Sequence, residues 1–476
     1  MILARTLRTA AAAAFALSAI TTASAQAPSL QARVEAKLAE AGPGPRFGLV
    51  VASPDGRELV AIAPEGRFVP ASTTKMFTTA AVFAVLPGLA APDASGGASV
   101  WLEGSGATPD VVLEGHGDGR LSDAADCRED CLATVADAVA AKARTVRDVI
   151  GDDSDFPDQR WSPGMSWNNI PTGSGTAVSA LTLDDNVLPL LVTATAPGQA
   201  PRADMPPYFA LRNDARTVAA GGATALDVQR LPGSRQLRLT GTIAADAKPQ
   251  RLHLGIDDPA DYAASRLAAL LAARGVRVTG KVAVRHRGDG APPAGRTLAA
   301  RLTPPPLLAD LRDTMKSSQN LHAELFLRRL GHLSGTGSIA EGLAVVHTIL
   351  DRAGIPAREA DLSDGSGMSS YNRVAPRGVV GLLRWAAGQP WGAAWRATFP
   401  IGGVDGTLAR RFRGGPLEGR IFAKTGTLNQ TSGLAGYMLA KSGRTLAFAA
   451  YANDVPEGAG AVKAMDSALE LIAAEN

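Results

Sequence analysis

The sequence has little cysteine, few lysines and no long apolar run beyond its first 25 residues. Its 476 residues include only two cysteines, Cys127 and Cys131, and aromatic residues make up 5%. Two thiols without nearby histidines are a poor zinc site. No later stretch is long and apolar enough to span a membrane, which takes about 20 residues. The net charge of +3 gives no electrostatic case for binding nucleic acid.

The N-terminus is typical of a secretory signal sequence spanning residues 1–25. Arg5 and Arg8 precede an apolar run that ends in Ala-Ser-Ala at 23–25, the small-residue pattern of a cleavage site. We therefore predict cleavage before Gln26 and a periplasmic location. Removal of two arginines leaves a mature net charge of about +1.

Export changes the interpretation of the two cysteines. In an oxidising compartment, a pair four residues apart favours a local disulfide between Cys127 and Cys131 over a metal site. The mature chain of about 450 residues is too long for one hydrophobic core. The sequence therefore predicts a disulfide and two or three domains.

Hydrophobic periodicity divides the chain into helix-rich ends and a β-rich middle. An Asp55-Gly56 turn between two apolar runs indicates a hairpin near the N-terminus. The predicted helices cover 30–41, 76–86, 127–143, 262–274, 307–315, 321–330, 342–353, 376–387 and 459–476. The predicted strands cover 47–52, 58–62, 111–114, 146–150, 276–284, 420–427, 434–439 and 445–452, with mostly strand over 177–196 and 208–256.

Ser72 and Lys75 form the only Ser-x-x-Lys pattern of the chain. Pro70 disfavours helix before the serine, and the apolar run after the lysine predicts a buried helix on which the two side chains share a face. The helix N-terminus favours an alkoxide on Ser72, and a desolvated, neutral lysine can take its proton. Such patterns often match by chance. A lysine retained in an arginine-rich chain is nevertheless a better candidate base, because arginine cannot release its proton.

A second candidate element is Ser318-Gln319-Asn320, at a break between two predicted helices. The Ser-x-Asn pattern also occurs at 166–168 and 370–372, and its ordinary use is capping or turn formation. Only the first lies just beyond the β-rich region, where a loop can face a cleft. We therefore select Ser318 and Asn320 as site candidates.

The third element is Lys424-Thr425-Gly426, the only Lys-Thr-Gly of the chain, on a predicted strand that continues to Thr427. Lysine offers a cation for a carboxylate, threonine offers a hydroxyl, and glycine lets a substrate backbone approach closely. An extended substrate could add to the strand edge. The alternative is an ordinary edge strand with a protective lysine.

In this order the three motifs resemble those of penicillin-binding proteins and serine β-lactamases. The long insertion between the first and second motifs, and segments 178–186, 364–369 and 399–408, narrow the resemblance to D-alanyl-D-alanine carboxypeptidase/endopeptidases. These are class C low-molecular-mass penicillin-binding proteins, peptidase family S13. The resemblance spans nearly all of the mature chain. It departs at Gln319, where aspartate is expected at a position that points away from the site in such folds, and at Met368, where leucine is usual.

The resemblance implies an α/β fold of the α+β type. A β-lactamase/transpeptidase-like, five-stranded antiparallel sheet would be covered by helices and interrupted by a large β-rich insertion. Residues 26–90 and 298–476 would form the catalytic domain. Residues 91–297 would form the inserted region, in two subdomains, the inner one at about 197–251.

The resemblance also implies a mechanism. Ser72 would attack the carbonyl between two D-alanines of a peptidoglycan stem peptide while Lys75 takes its proton. Ser318 would relay a proton to the leaving amine, and Asn320 would hold the substrate amide and the Lys75 ammonium. Water would then release the ester from Ser72, without metal or other cofactor. β-Lactams would act as inhibitors.

Substrate binding is assigned by the same resemblance to the third motif. Lys424 and Thr425 would bind the terminal carboxylate, with Gly426 beside them. The backbone N–H groups of Ser72 and Thr427 would form the oxyanion hole, at about 3–4 kcal/mol of barrier per donor.

Three other functions stay open at this point. A serine β-lactamase shares the motifs, but the large insertion argues against that compact form. A transpeptidase would pass the acyl group to an amine instead of water. A catalytically silent cell-wall-binding protein would not need the intact set of reactive residues. The sequence also leaves the oligomeric state open, a homodimer included.

Overall fold

The computed structural model describes residues 28–104, 106–288 and 295–476. The predicted signal sequence, residues 1–25, lies outside the described residues.

Ten α-helices occur in the described residues, several with clear start signals. Ser338 and Glu341 form a capping box at one helix start, and the Asp258 side chain caps another, satisfying N–H groups that would lack partners. The helices are α1 (Leu30–Ala39), α2 (Lys75–Val85), α3 (Leu132–Lys142), α4 (Pro259–Ala273), α5 (Leu307–Lys316), α6 (Asn320–His332), α7 (Ile339–Arg352), α8 (Pro376–Ala387), α9 (Gly392–Arg396) and α10 (Ala461–Glu475).

The strands of the described residues fall into several sheets. In chain order they are β1 (Arg46–Ala52), β2 (Glu58–Ile62), β3 (Ser99–Glu103), β4 (Asp110–Glu114), β5 (Thr145–Val146), β6 (Val149–Asp152), β7 (Val187–Thr193), β8 (Arg202–Asp204), β9 (Ala210–Asn213), β10 (Arg216–Val218), β11 (Ala225–Gln229), β12 (Gln236–Ala244), β13 (Gln250–Gly255), β14 (Arg277–Val278), β15 (Val282–Arg285), β16 (Thr297–Arg301), β17 (Ala360–Asp361), β18 (Arg373–Val374), β19 (Ile421–Leu428), β20 (Thr431–Leu439) and β21 (Thr445–Asn453).

The main sheet has five antiparallel strands in the order β19-β20-β21-β1-β2. The N-terminal strand β1 pairs with the C-terminal strand β21, with Leu49 opposite Ala450. The predicted α+β fold with a five-stranded antiparallel sheet is confirmed. Because the sheet draws its strands from before and after the β-rich middle, that middle is an excursion from the sheet; the exact domain boundaries stay a prediction.

Helices cover both faces of the main sheet. Val50 and Ala52 of β1 pack into a core with α2, α5, α6, α7 and α8, whereas Leu49 and Val51 pack with α1 and α10 on the other face. A strand buried on both faces reads as a continuous apolar run, which explains the run at 49–52. Ser72 lies at the start of α2, against the outer strand β19.

The described residues between 98 and 302 build a hydrophobic core of their own. Its largest sheet has the order β15-β6-β4-β3-β16, and α3 and α4 pack on it. A three-stranded sheet, β13-β7-β8, and a four-stranded sheet of β9 to β12 complete this body. We call residues 98–302 the inserted body.

Several local predictions were wrong. The helix predicted over 127–143 begins only at Leu132, because Asp130 has a φ of +56° and Cys131 is extended. Strand structure predicted from 177 begins only at Val187, since residues 184–186 all have positive φ. The strands predicted over 146–150 and 276–284 are each split in two. Helix α9 and strands β3 and β16 were not predicted.

Cys127 and Cys131 form a disulfide with Cα atoms 5.8 Å apart. It closes the irregular turn before α3, within the stretch that the sequence had predicted as helix. In residues 28–104, 106–288 and 295–476, no helix has the length and apolar character needed to cross a membrane. The same residues contain no group of three or more His, Cys, Asp or Glu side chains arranged to hold a metal ion.

Candidate active site

Ser72 lies in a short 3-10 helix, Ala71–Thr74, that runs directly into α2. Ala71 has a φ of +48°, in the left-handed region that is costly for a side chain with a Cβ. This kink turns the chain after Pro70 and presents the Ser72 side chain at the surface of a cleft. The predicted helix start is therefore correct, with a 3-10 turn in place of a simple N-cap.

Lys75 lies beneath Ser72 and has no exposed surface. Its Nζ is 3.0 Å from Ser72 Oγ, 2.7 Å from Asn320 Oδ1 and 2.6 Å from the carbonyl oxygen of Ser366. Burial lowers the pKa of Lys75 to about 7, although the negative charges of Asp364 and Glu324 oppose the shift. A lysine in this state exchanges a proton near neutral pH.

Ser318 and Asn320 occupy the link between α5 and α6, as the sequence predicted. Ser318 has a φ of +67°, which places its hydroxyl in the cleft, 2.9 Å from Lys424 Nζ. Asn320 accepts from Lys75 through Oδ1 and donates through Nδ2 to the carbonyl oxygen of Ser174 at 2.9 Å. Gln319 caps α6, because its side chain accepts a hydrogen bond from the Leu321 N–H at 3.2 Å.

The other two Ser-x-Asn patterns do not reach Lys75. In the first, Ser166 Oγ and Asn168 Oδ1 pair with each other in an exposed turn. In the second, Asn372 is buried and bonds the Ser363 N–H and the Asp364 carboxylate. These are the turn-forming roles that the alternative interpretation describes.

Lys424, Thr425 and Thr427 lie on β19, the outer strand of the main sheet. Lys424 has no exposed surface, and its Nζ contacts Ser318 Oγ and the carbonyl oxygen of Thr425, each at 2.9 Å. Burial, and after it the charge of Lys75, lowers the pKa of Lys424 well below its ordinary value. Lys424 thus stands behind Ser318, whereas Thr425 and Thr427 line the cleft.

In the part of the chain that the structure describes, no other strand pairs with the outer edge of β19 beside Ser72. At its start, the Ile421 carbonyl and the Ala423 N–H bond to Gly402 and Pro400 on that edge. Because alternate residues of an antiparallel strand bond to the same side, the backbone groups of Thr425 and Thr427 also point outward.

Gly426 is required by a close approach of backbone. A Cβ at this position would lie 2.4 Å from the Pro70 carbonyl oxygen and 3.3 Å from the Ser72 nitrogen. The glycine was predicted to admit a substrate backbone. That role stays a prediction; in the structure the glycine admits the turn that carries Ser72, and so brings Ser72 and Thr427 together.

The cleft has a volume of about 1070 Å³, and its walls come from the inserted body and from the segments before and after it in the chain. Ser72, Ser318 and Asn320 meet Thr425 and Thr427 on one side, and the loop 164–174 of the inserted body forms the opposite side. Of the residues that the structure describes, none that lines this cleft is an Asp or Glu. The arrangement places a nucleophile, Ser72, and a base that exchanges a proton near neutral pH, Lys75, beside an edge of β19 with which no other described strand pairs.

Comparison with known proteins assigns this arrangement. The profile of the D-Ala-D-Ala carboxypeptidase 3 (S13) family matches residues 30–476. The chain belongs to this family. It is a serine-type D-Ala-D-Ala carboxypeptidase, and the family predicted from the motifs is confirmed.

Relatives of this S13 carboxypeptidase match its sequence over most of their own length. The D-alanyl-D-alanine carboxypeptidase of Actinomadura sp. (strain R39) is 35% identical over 84% of this chain and 76% of the relative. The D-alanyl-D-alanine carboxypeptidase DacB of Haemophilus influenzae is 29% identical over 65% of this chain and 66% of its own. In structure, penicillin binding protein 4 (dacB) of Haemophilus influenzae has a TM-score of 0.77 at 23% identity, over 92% of this chain and 98% of that chain, which shows a shared fold.

Sequence reasoning missed the residues of the S13 carboxypeptidase that hold Lys75 from below. Glu324 Oε1 accepts from the N–H groups of Gly365 and Ser366 at 3.0 and 2.9 Å, which aims the Ser366 carbonyl at the lysine. Asp364 bonds the N–H groups of Gly367 and Ser369 in the same turn. Two features of the sequence could have indicated these residues: the segment 364–369, which supported the family resemblance, and the position of Glu324 one helical turn after Asn320.

Thr407 was also missed. Its Oγ1 lies 2.7 Å from Thr425 Oγ1, and both hydroxyls line the cleft. The threonine belongs to segment 399–408, which supported the family resemblance but was given no role.

Proposed function

We propose that the chain is an exported, periplasmic DD-peptidase that cleaves D-Ala-D-Ala termini and D-Ala cross-links of peptidoglycan through an acyl-enzyme on Ser72. β-Lactams acylate the same serine. The observation that carries the proposal is the 3.0 Å contact between Ser72 Oγ and a fully buried Lys75 whose pKa is lowered to about 7.

The first step is attack on the substrate carbonyl. Ser72 Oγ bonds to the carbonyl carbon as its proton passes to neutral Lys75 Nζ. The resulting oxyanion lies at the junction of Ser72 and Thr427, where two backbone N–H groups converge on charge that develops only in the transition state. Asn320 stays bonded to the lysine as it becomes an ammonium.

Collapse of the tetrahedral intermediate breaks the C–N bond. The leaving amine takes the proton that Lys75 Nζ accepted, and Ser318 Oγ is the relay because it stands in the cleft with Lys424 behind it. Thr425 and Thr407 offer hydroxyls to the terminal carboxylate. Lys424 then acts through its hydrogen bond to Ser318 Oγ instead of by direct contact with the carboxylate, since it has no exposed surface.

Release of the ester by water completes the cycle. Fast hydrolysis of a penicilloyl ester needs a positioned and activated water, which a glutamate supplies in class A β-lactamases. Because none of the described residues lining the cleft is an Asp or Glu, the penicilloyl-enzyme is long-lived. This favours a peptidase over the β-lactamase alternative.

Intact-protein mass spectrometry after incubation with penicillin tests the proposal. Wild type gains one penicillin mass, Ser72→Ala gains none, and Ser442→Ala, at an exposed turn, behaves as wild type. Purified muropeptides then report released D-alanine and cleaved dimers. Rapid, repeated penicillin hydrolysis with untouched muropeptides would establish a β-lactamase instead.

A further inference from the structure

The active-site cleft continues past the Ser318–Asn320 link onto the inserted body. A second cavity of about 630 Å³ shares Ser174, Ser318 and Asn320 with the cleft. A third, of about 290 Å³, shares Pro189 and Arg251 with the second. The three cavities therefore adjoin one another in a row that begins at Ser72 and runs across the sheet β13-β7-β8. We call the second and third cavities the distal groove.

Two paired strands form the floor of the distal groove. Pro189 and Leu191 of β7 stand opposite His253 and Arg251 of β13. Residues that are paired in an antiparallel sheet share a face. On this face Pro189 and Leu191 remain partly exposed, while the intervening Leu190 is fully buried beneath. The floor is thus a flat, partly apolar surface edged by two polar side chains.

The distal groove is connected to the catalytic residues through a short loop. Gly173 packs on the His253 side chain, where an added Cβ would lie 3.1 Å from His253 Cβ. The next residue, Ser174, accepts the hydrogen bond from Asn320 Nδ2. A ligand in the distal groove and one at Ser72 therefore rest on the same loop from opposite sides.

The carboxylates of the distal groove are already paired. Asp185 contacts His322 at 2.7 Å, and Asp204 contacts Arg202 at 2.7 Å. Asp184 accepts hydrogen bonds from a serine hydroxyl and a backbone N–H at 2.7 and 3.1 Å. Each of these carboxylates thus already has a hydrogen-bond partner within the protein.

Arg251 differs from these groups. Its side chain is exposed, and in the described residues it makes no hydrogen bond or ion pair. An arginine with all its donors free, on an apolar floor, is suited to a carboxylate. Of the described residues lining the second and third cavities, none is Trp, Tyr or Phe, so the groove lacks the rings on which sugars stack.

We propose that the distal groove binds a carboxylate-bearing peptide strand of a cross-linked substrate beyond the scissile bond, with Arg251 as its carboxylate contact. The inference rests on the proposed peptidase function and adds a second subsite to it. Short D-alanyl peptides reach only the cleft, whereas cross-linked dimers reach both. Arg251 thereby sets the preference for polymeric over short substrates.

The test compares two substrates and two arginines. Arg251→Ala is measured beside Arg216→Ala, an exposed arginine of the inserted body outside the groove. The substrates are an N-acylated D-Ala-D-Ala tripeptide and a cross-linked muropeptide dimer. Arg251→Ala lowers kcat/KM for the dimer about tenfold, mainly through KM, as expected for one charge-assisted contact. It leaves the tripeptide and the rate of penicillin acylation within about twofold, as Arg216→Ala does for both substrates.

A dimer with amidated carboxyl groups identifies the contact. It is cleaved equally by wild type and Arg251→Ala if the carboxylate is what Arg251 binds, and unequal cleavage overturns that assignment. Equal loss on dimer and tripeptide, or no loss on the dimer, overturns the subsite. If wild type cleaves neither peptide while folded, the proposed function fails as well, so the two failures are distinguishable.

Discussion

Asn320 links the catalytic lysine to the inserted body. Its Oδ1 accepts a hydrogen bond from Lys75 at 2.7 Å, while its Nδ2 donates to the Ser174 carbonyl at 2.9 Å. The position of the proton acceptor thus depends on a loop that lies about 100 residues after α2 in the chain, an arrangement that no local motif specifies. The following predictions test this site and its supports.

Lys75→Met removes the base and leaves a side chain of similar shape in a buried position. Acylation by penicillin falls by at least about a hundredfold, because no neutral amine is left to take the Ser72 proton. A fluorescent penicillin followed over time measures the rate, with Lys441→Met, at an exposed turn, as the control. An unchanged rate in folded Lys75→Met would remove the lysine from the mechanism.

The pH dependence of acylation reports the protonation of Lys75. Its pKa of about 7 means that the free base forms as the pH rises through that value, so the rate climbs between about pH 6 and pH 8 and then levels. Rapid-mixing acylation measures the profile, and Ser72→Ala gives the background at each pH. A flat profile over this range contradicts the assignment of Lys75 as base.

His322 links α6 to the inserted body through its contacts with two carboxylates. It is buried between Asp310 of α5 and Asp185 of the inserted body, and Arg120 pairs with Asp310 beside them. Burial lowers the pKa of His322, but the two carboxylates outweigh burial and raise it to about 10.

A raised pKa in the folded state stabilises the protein fully below the unfolded value of about 6.5, and this stabilisation is lost as pH rises through about 10. His322→Gln is therefore most destabilised relative to wild type near pH 6, and the difference shrinks toward pH 10. Urea unfolding at several pH values measures it. A difference that stays constant from pH 6 to pH 10 would show that packing alone is lost.

The Cys127–Cys131 disulfide closes a very small loop in the inserted body, and neither cysteine lines the active-site cleft. The double variant Cys127→Ser/Cys131→Ser loses about 2 kcal/mol of stability on the chain-entropy estimate and keeps peptidase activity. Thiol titration of the native protein finds no free thiol until a reductant is added. Free thiols in the native protein, or loss of acylation in the variant, would contradict this.

Most of the fold's catalytic part could be predicted from the sequence because its signals are local. The hairpin 46–62, helix α2 and the three C-terminal strands follow from apolar periodicity and turn residues. The irregular segments could not be predicted in this way. Residues 177–186 are apolar enough for a strand, but backbone hydrogen bonds to distant residues, such as that from the Ala177 N–H to the Ile256 carbonyl, hold the segment, and residues 184–186 have positive φ.

The sequence by itself determined which residue types were available and which were adjacent: Ser72 with Lys75, and Lys424 with Thr425 and Gly426. Such pairs lie within one helical turn or along one strand, where spacing fixes distance. Only the tertiary structure decided that Lys75 is buried deeply enough for its pKa to fall and that Lys424 stands behind Ser318. Burial and distance between chain-distant residues depend on how the layers pack, because desolvation is a property of everything that surrounds a group and not of its neighbours in sequence.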